Sequence, residues 1–189
     1  MVREKNINNA VENNLEIKKV WGSIRWTEII EDVGEDYMNI EIREANIKDI
    51  DKGLLEVFIE GYRYHQKGRP DIFTNFSDEI LKEDLIKNFE NLSIIIILDN
   101  NKIVGYLAYR IKENHTKKID VDQLVILEQY RGKGLGKKLM DEVKIIGLKN
   151  NCDRIELNCW IFNENALAMY EHIGFDRQRI IYELKLKQT

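Results

Sequence analysis

Residues 131 to 138 read Arg131-Gly132-Lys133-Gly134-Leu135-Gly136-Lys137-Lys138, a spacing suited to holding an anion. An apolar stretch with strand character, residues 119–127, runs into it. The segment leaving it, 135–149, repeats Leu139, Val143 and Ile146 on one helical face. The first amides of a helix have no partners within the helix, and its dipole places partial positive charge there. Glycines let the backbone turn tightly and bring those amides against a bound group. Arg131, Lys133, Lys137 and Lys138 add charge around the same point. A phosphate or pyrophosphate is the natural occupant.

Three phosphate-binding patterns compete for this segment. A nucleotide-triphosphate loop needs Ser or Thr after Gly-Lys to hold magnesium, but Lys138 follows Gly136-Lys137. A dinucleotide fingerprint needs a glycine where Lys137 stands, and an antiparallel hairpin precedes this loop, against that pattern. The third pattern, Arg/Gln-x-x-Gly-x-Gly/Ala, is the acetyl-CoA loop, and Arg131, Gly134 and Gly136 meet it at every defined position. Downstream stands Asn163-Glu164-Asn165-Ala166-Leu167-Ala168-Met169-Tyr170-Glu171-His172-Ile173-Gly174-Phe175.

The two motifs together, over about residues 40–186, make the chain resemble the GNAT superfamily of acetyl-CoA-dependent N-acetyltransferases. The resemblance implies that Arg131, Gly132, Lys133, Gly134, Leu135, Gly136 and Lys137 hold the pyrophosphate of acetyl-CoA. It implies that the pantetheine arm lies along Leu124, Val125 and Ile126 like an added strand, in a cleft splayed open toward residues 154–160. Asn163 matches the cofactor-contacting asparagine of similar proteins. Tyr170 matches the tyrosine that protonates the leaving thiolate. Helical spacing alone gives Tyr170 a second reading, because Ala166, Met169, Tyr170 and Ile173 form an i, i+3, i+4, i+7 stripe of core type.

The acceptor of such a reaction is an amine, and presenting an alkylamine as free base at pH 7 costs roughly 4–5 kcal/mol. A carboxylate in the cleft is one way to take that proton. Asp120 and Asp122 share one strand face by the period of two, with Asp122 nearer the cleft; a solvated strand face is the alternative. Tyr64, His65 and Arg69 are candidate substrate contacts, because similar proteins line the acceptor pocket between their first two helices. The expected reaction is direct transfer to a small-molecule primary amine. A protein N-terminus or lysine is the alternative acceptor, and a non-catalytic CoA-binding module is the alternative role. Similar proteins are frequently dimers, so the resemblance also raises a homodimer.

These residues need elements to position them. Ile40 and Ile42 alternate as an opening strand, and Asn46 caps a helix expected over 47–64. Pro70 marks a turn, and Ser77-Asp78-Glu79 starts a second helix. Residues 93–98 and 103–111 flank an Asp99-Asn100-Asn101-Lys102 turn, a hairpin signal. Then follow a strand over 119–127, a helix over 135–149, a strand over 154–160, a helix over 163–173 stopped by Gly174, and a strand over 180–186. Relative to similar proteins, little more than one strand fits after Phe175. The expected class is α/β of the α+β type: a mixed, partly antiparallel central sheet with helices on both faces.

Composition bounds the rest. The 189 residues, 43% hydrophobic and 33% charged, suit one globular domain. A net charge of −4, from 29 basic and 33 acidic residues, argues against nucleic acid as partner. The longest apolar run, residues 94–98, falls far short of the roughly 20 residues a bilayer span needs. No secretion signal follows Met1, and Cys152 and Cys159 do not make a disulfide framework, so a cytoplasmic protein is expected. No His, Cys, Asp or Glu spacing suggests a metal site. The domain is expected over 38–189. Residues 1–37, with Trp21 and Trp26, form an N-terminal extension expected to pack on it.

Overall fold

A computed structural model describes residues 38–186; the expectation for residues 1–37 lies outside them. Strand β1 is Ile40–Glu44, and a short 3-10 helix, Ile47–Lys52, follows it. Asn46 caps that turn by accepting from the Lys48 N–H, while the Asp49 carboxylate accepts from the Asn46 N–H. Arg43 donates to both oxygens of the fully buried Asp49 at 2.8 and 2.9 Å. The single helix expected over 47–64 is corrected here. Gly53, at φ +117°, ends the 3-10 turn, and α1 begins afresh as Leu54–Gly68.

Helix α2 is Asp78–Asn91, and β2 (Ser93–Asp99) turns into β3 (Lys102–Glu113) through Asn100 and Asn101. Both asparagines hold positive φ, as a primed hairpin turn requires. Strand β4 is Lys117–Ile126, α3 is Leu135–Lys149, β5 is Arg154–Leu157 and α4 is Glu164–His172. The sheet order is β1-β2-β3-β4-β5, antiparallel up to β4 and parallel between β4 and β5, where α3 is the crossover. The mixed sheet of the α+β class is therefore present.

Each face of the sheet carries its own core. Ile94, Ile96 and Leu98 of β2 pack with α1 and α2, through Leu54, Val57, Phe58, Leu81 and Leu85. Ile95 and Ile97 point the other way, toward Leu135, Leu139, Met140 and Val143 of α3. Coverage on both faces is why β2 reads as an unbroken apolar run. Each such side chain buried in full stabilises by about 1.5–3 kcal/mol.

Two strand expectations change. β5 ends at Leu157 instead of residue 160, because its partner β4 bulges at Asp122 and turns away. Residues 180–186 form no strand. Their alternation is that of a strand, but Glu183 and Lys185 are pinned by ion pairs to the turn after α1. Ile180, Ile181, Tyr182 and Leu184 are left 77–89% exposed.

Candidate active site

The glycine segment supplies a fan of open amides. Gly132 and Gly134 both sit at φ +76°, and nothing lies within 4 Å of a Cβ built on either. Gly134 is the N-cap of α3 without a side-chain cap, and the first backbone bond of the helix runs from the Lys138 N–H to the Gly134 carbonyl. Among the described residues the six amides from Gly132 to Lys137 donate to nothing. Such a set points at an anion. The cations beside it are partly engaged: Lys133 lies over the Tyr130 ring at 5.4 Å, and Lys137 pairs with Asp141. Gly136 has another task. A Cβ there would stand 2.9 Å from Met169 Sδ, so its absence lets α4 approach the start of α3.

Next to this fan the sheet opens. Strand β4 pairs with β5 only from Lys118 to Val121, whereas its pairing with β3 continues to Ile126. The Leu127 N–H donates to Val104, so by antiparallel alternation Val125 and Gln123 also bond toward β3. Leu124 and Ile126 therefore turn their backbone groups to the open side. Arg131 Nε donating to the Ile126 carbonyl at 2.9 Å agrees with this direction. Leu124, Val125 and Ile126 are thus a half-paired edge beside the fan, open to an added extended group carrying amides.

Helix α1 roofs the opening. Gly61 lies on Val125, where a Cβ would come within 2.7 Å of a methyl group, and Gly68 lies on the Phe162 ring. Between them the Tyr64 hydroxyl donates to Asn163 Oδ1 at 3.2 Å, and the Arg131 guanidinium stands over the Tyr64 ring at 5.3 Å. Asn163 also caps α4, accepting from the Ala166 N–H. Glu60 accepts from Arg131 at 3.0 Å and from the Glu128 N–H at 2.7 Å, tying the loop to the roof.

Tyr170 lies on α4, whose end is closed by Gly174 at φ +94° and the Phe175 N–H returning to the Tyr170 carbonyl. Burial, with a smaller contribution from nearby Cys159, pushes its phenol well above the ordinary tyrosine range. Asp120 and Asp122 stand beside the bulge in a charged lattice. Arg110 donates to Asp120 at 3.1 Å and to Asp122 at 2.9 Å, and Lys112 pairs with Asp120 at 2.6 Å. Burial raises the Asp120 carboxyl, but Lys112 and Arg110 outweigh it and hold the group below the usual carboxylate range.

His65 and Arg69 occupy the far end of the roof. His65 stacks on Phe73 at 5.4 Å and meets Phe162 edge-on. Arg69 lies over Trp160 at 4.9 Å and binds Asp71 and Glu183. The turn and the tail around these ion pairs border an open groove of about 650 Å³. The structure thus gathers the loop, Leu124–Ile126, Asn163 and Tyr64 around one opening. Glu60, Phe73, Trp160 and Phe162 were missed by sequence reasoning. Only an aromatic-rich composition near residue 160 hinted at the last two, and no pattern signalled Glu60.

A family model described as the acetyltransferase (GNAT) family matches residues 57–175. The chain belongs to the GNAT acetyltransferase family. It is 27% identical over 165 residues to an N-alpha-acetyltransferase of Saccharolobus solfataricus, covering 79% of this chain and 86% of that protein. It is equally 27% identical over 154 residues to a glucosamine 6-phosphate N-acetyltransferase of Dictyostelium discoideum, covering 75% and 87%. Among solved structures, an aminoglycoside N-acetyltransferase in complex with CoA shares the fold at a TM-score of 0.59 and 17% identity, covering 82% and 99%. A Bacillus halodurans protein shares it at 0.68 and 24% identity, covering 77% and 99%. This GNAT acetyltransferase is accordingly an acyltransferase that uses acetyl-CoA to acetylate nitrogen. No described helix is long and apolar enough to cross a membrane.

Proposed function

We propose that this acetyltransferase moves the acetyl group of acetyl-CoA directly to the primary amine of a small molecule, within a ternary complex. The observation that carries the reading is the fan of open amides from Gly132 to Lys137 standing at the unpaired end of β4. Acetyl-CoA supplies an activated acyl group and a thiolate leaving group. The fan holds the pyrophosphate, and the Leu124 backbone bonds the pantetheine amides. Asn163, fixed by Tyr64 and its capping role, orients the arm where it passes α4. Tyr170 donates its proton to the departing sulfur. A phenol whose ionisation is pushed up stays protonated across neutral pH, so the donor is always loaded.

Direct transfer is supported by the state of the thiols. Burial pushes the Cys159 thiol up, which works against a thiolate nucleophile. Both cysteines are free, which suits a cytoplasmic location. A small acceptor is supported by the Arg69–Glu183 and Asp71–Lys185 pairs, which strap the tail across the turn after α1, next to Trp160. The likeness to an N-alpha-acetyltransferase favours a peptide N-terminus as the second reading. Thiol release from acetyl-CoA, measured with a panel of small amines and of short peptides, separates the two. Turnover of peptides alone overturns the small-acceptor reading, and no release with any acceptor overturns acetyl transfer to amines.

A further inference from the structure

The amide fan begins at Gly132, and what fixes its entrance belongs to another element. Between the end of β4 and the fan stands a single 3-10 turn, Glu128–Tyr130, whose N-cap Leu127 supplies no side-chain bond. The first amides of such a turn have no partner within it. Here the Glu128 N–H donates to Glu60 of α1 at 2.7 Å. The same oxygen, Oε1, accepts from Arg131 Nη2 at 3.0 Å. Arg131 is the C-cap of the turn, its own N–H returning to the Glu128 carbonyl. One carboxylate oxygen, 68 and 71 residues away in sequence, therefore staples the turn at both ends.

The surroundings fit Glu60 for this task. A Cβ on the next residue, Gly61, would meet a Val125 methyl at 2.7 Å, so its absence lets α1 come close enough to β4 for Glu60 to reach the turn. Tyr64 follows one helical turn later on the same face. Its ring carries the Arg131 guanidinium at 5.3 Å, and its hydroxyl bonds Asn163. Arg131 Nε donates to the Ile126 carbonyl, closing the turn onto the strand it leaves. The ion pair by itself is weak, because both side chains are partly exposed. The weight rests on the two hydrogen bonds that Glu60 accepts, one of them from a backbone amide.

We propose that Glu60 is a positioning residue for acetyl-CoA binding: it holds the 128–131 turn and thereby aims the amides from Gly132 onward at the pyrophosphate. The Arg131 side chain serves the same brace, so the arginine of the glycine motif acts on the cofactor through the protein. The inference rests on the reading that the fan holds the pyrophosphate. It adds a residue outside both sequence motifs on which that grip depends.

The test is calorimetry of the full chain with acetyl-CoA, for the parent, Glu60→Ala, Glu60→Gln and Gly134→Ala. Glu60→Ala should raise the Kd about tenfold. Glu60→Gln, whose amide oxygen accepts the same two bonds, should stay within about threefold of the parent. Amide hydrogen exchange read by NMR is the second measure. In the free parent the Glu128 N–H should exchange slowly and those from Gly132 to Lys137 fast, the latter slowing once acetyl-CoA is bound. In Glu60→Ala the Glu128 N–H should exchange fast while β3 and the body of α3 stay protected. A Glu60→Ala Kd within about twofold of the parent, or a loss in Glu60→Gln as large as in Glu60→Ala, overturns the brace alone if Gly134→Ala still weakens binding. If Gly134→Ala also leaves the Kd unmoved, the fan is not the pyrophosphate site and both readings fall. Should Glu60→Ala fail to fold, the free parent decides: a Glu128 N–H that exchanges as fast as that of Gly132 overturns the assignment.

Discussion

From Lys118 to Val121, β4 is bonded on both edges, to β3 and to β5, and its Ile119 and Val121 are sealed against α3. From Asp122 to Ile126 the same strand is bonded on one edge alone, under a helix whose Gly61 and Gly68 bring it close. A one-residue bulge at Asp122 separates the two halves. The sealed half, with β1 to β3 and their helices, holds the fold. The open half spends strand pairing to leave backbone groups and amides for a ligand. Substitutions in the first region should therefore act on stability, and substitutions in the second on binding and turnover.

The largest effect is expected at the sealed end. Asp49→Ala leaves Arg43 without its partner and removes the capping bond to Asn46, so unfolding free energy should fall by about 3 kcal/mol. The hydrogen bonds from Arg43 hold the Asp49 carboxyl below its ordinary range. The stabilisation is thus full above about pH 4, the unfolded value, and fades as pH falls through the folded one. Denaturant melts at pH 7 and in acid should show the gap between parent and variant closing on acidification. The acetyl-CoA affinity of the folded variant should not move, and a large loss would show that the two regions are not separable.

Tyr170→Phe tests the open end. It should lower kcat about 100-fold with the acetyl-CoA Kd and the melting temperature nearly unchanged. Because burial raises the phenol's pKa, the parent should show no basic limb from this group below about pH 10. An unchanged kcat would return Tyr170 to the core stripe that its spacing with Met169 and Ile173 also allows.

Which of these features showed in the sequence follows from how local each one is. The glycine loop, the Asn100-Asn101 hairpin and the α3 boundaries are set by neighbours in the chain, and they stand where their signals are. Gly53 was read through because its neighbours Ile50, Leu54 and Val57 keep helical spacing on both sides of the break. The tail kept a strand's alternation, yet its pairing is decided by Arg69 and Asp71, more than a hundred residues earlier. Asp120 and Asp122 were legible as a pair on one face, but Arg110 and Lys112 belong to the neighbouring strand, and only register brings them together. The same holds for the aromatic cluster around His65, whose rings come from α1, the turn after it and the segment after β5.

A smaller effect is expected at Gly134→Ala. Nothing crowds the added methyl, so the cost is left-handed backbone, about 1–2 kcal/mol, felt where the amide fan is aimed. The acetyl-CoA Kd should rise about tenfold by calorimetry, with kcat at saturation little changed. A Kd that does not move would mean that the fan is not where the pyrophosphate rests.

The smallest effect falls on the border between the halves. Asp120 is bonded to Arg110 and Lys112, and both cations are 40% or more exposed, so the pairs are worth less than about 1 kcal/mol and weaken in salt. Asp120→Asn should lower stability by no more than that, less at high ionic strength, and keep kcat within about twofold across pH. The ion pairs make this the sharpest check on the division of β4. A carboxylate already held below its usual range by two cations has little tendency to take a proton from an ammonium, whereas its side chain does bind β4 to β3 just before the bulge. If Asp120→Asn instead lost about 100-fold in kcat together with the acid limb, at unchanged acetyl-CoA affinity, Asp120 would be the proton acceptor. The catalytic region would then begin before Asp122, inside the half that the pairing of β4 and β5 marks as structural.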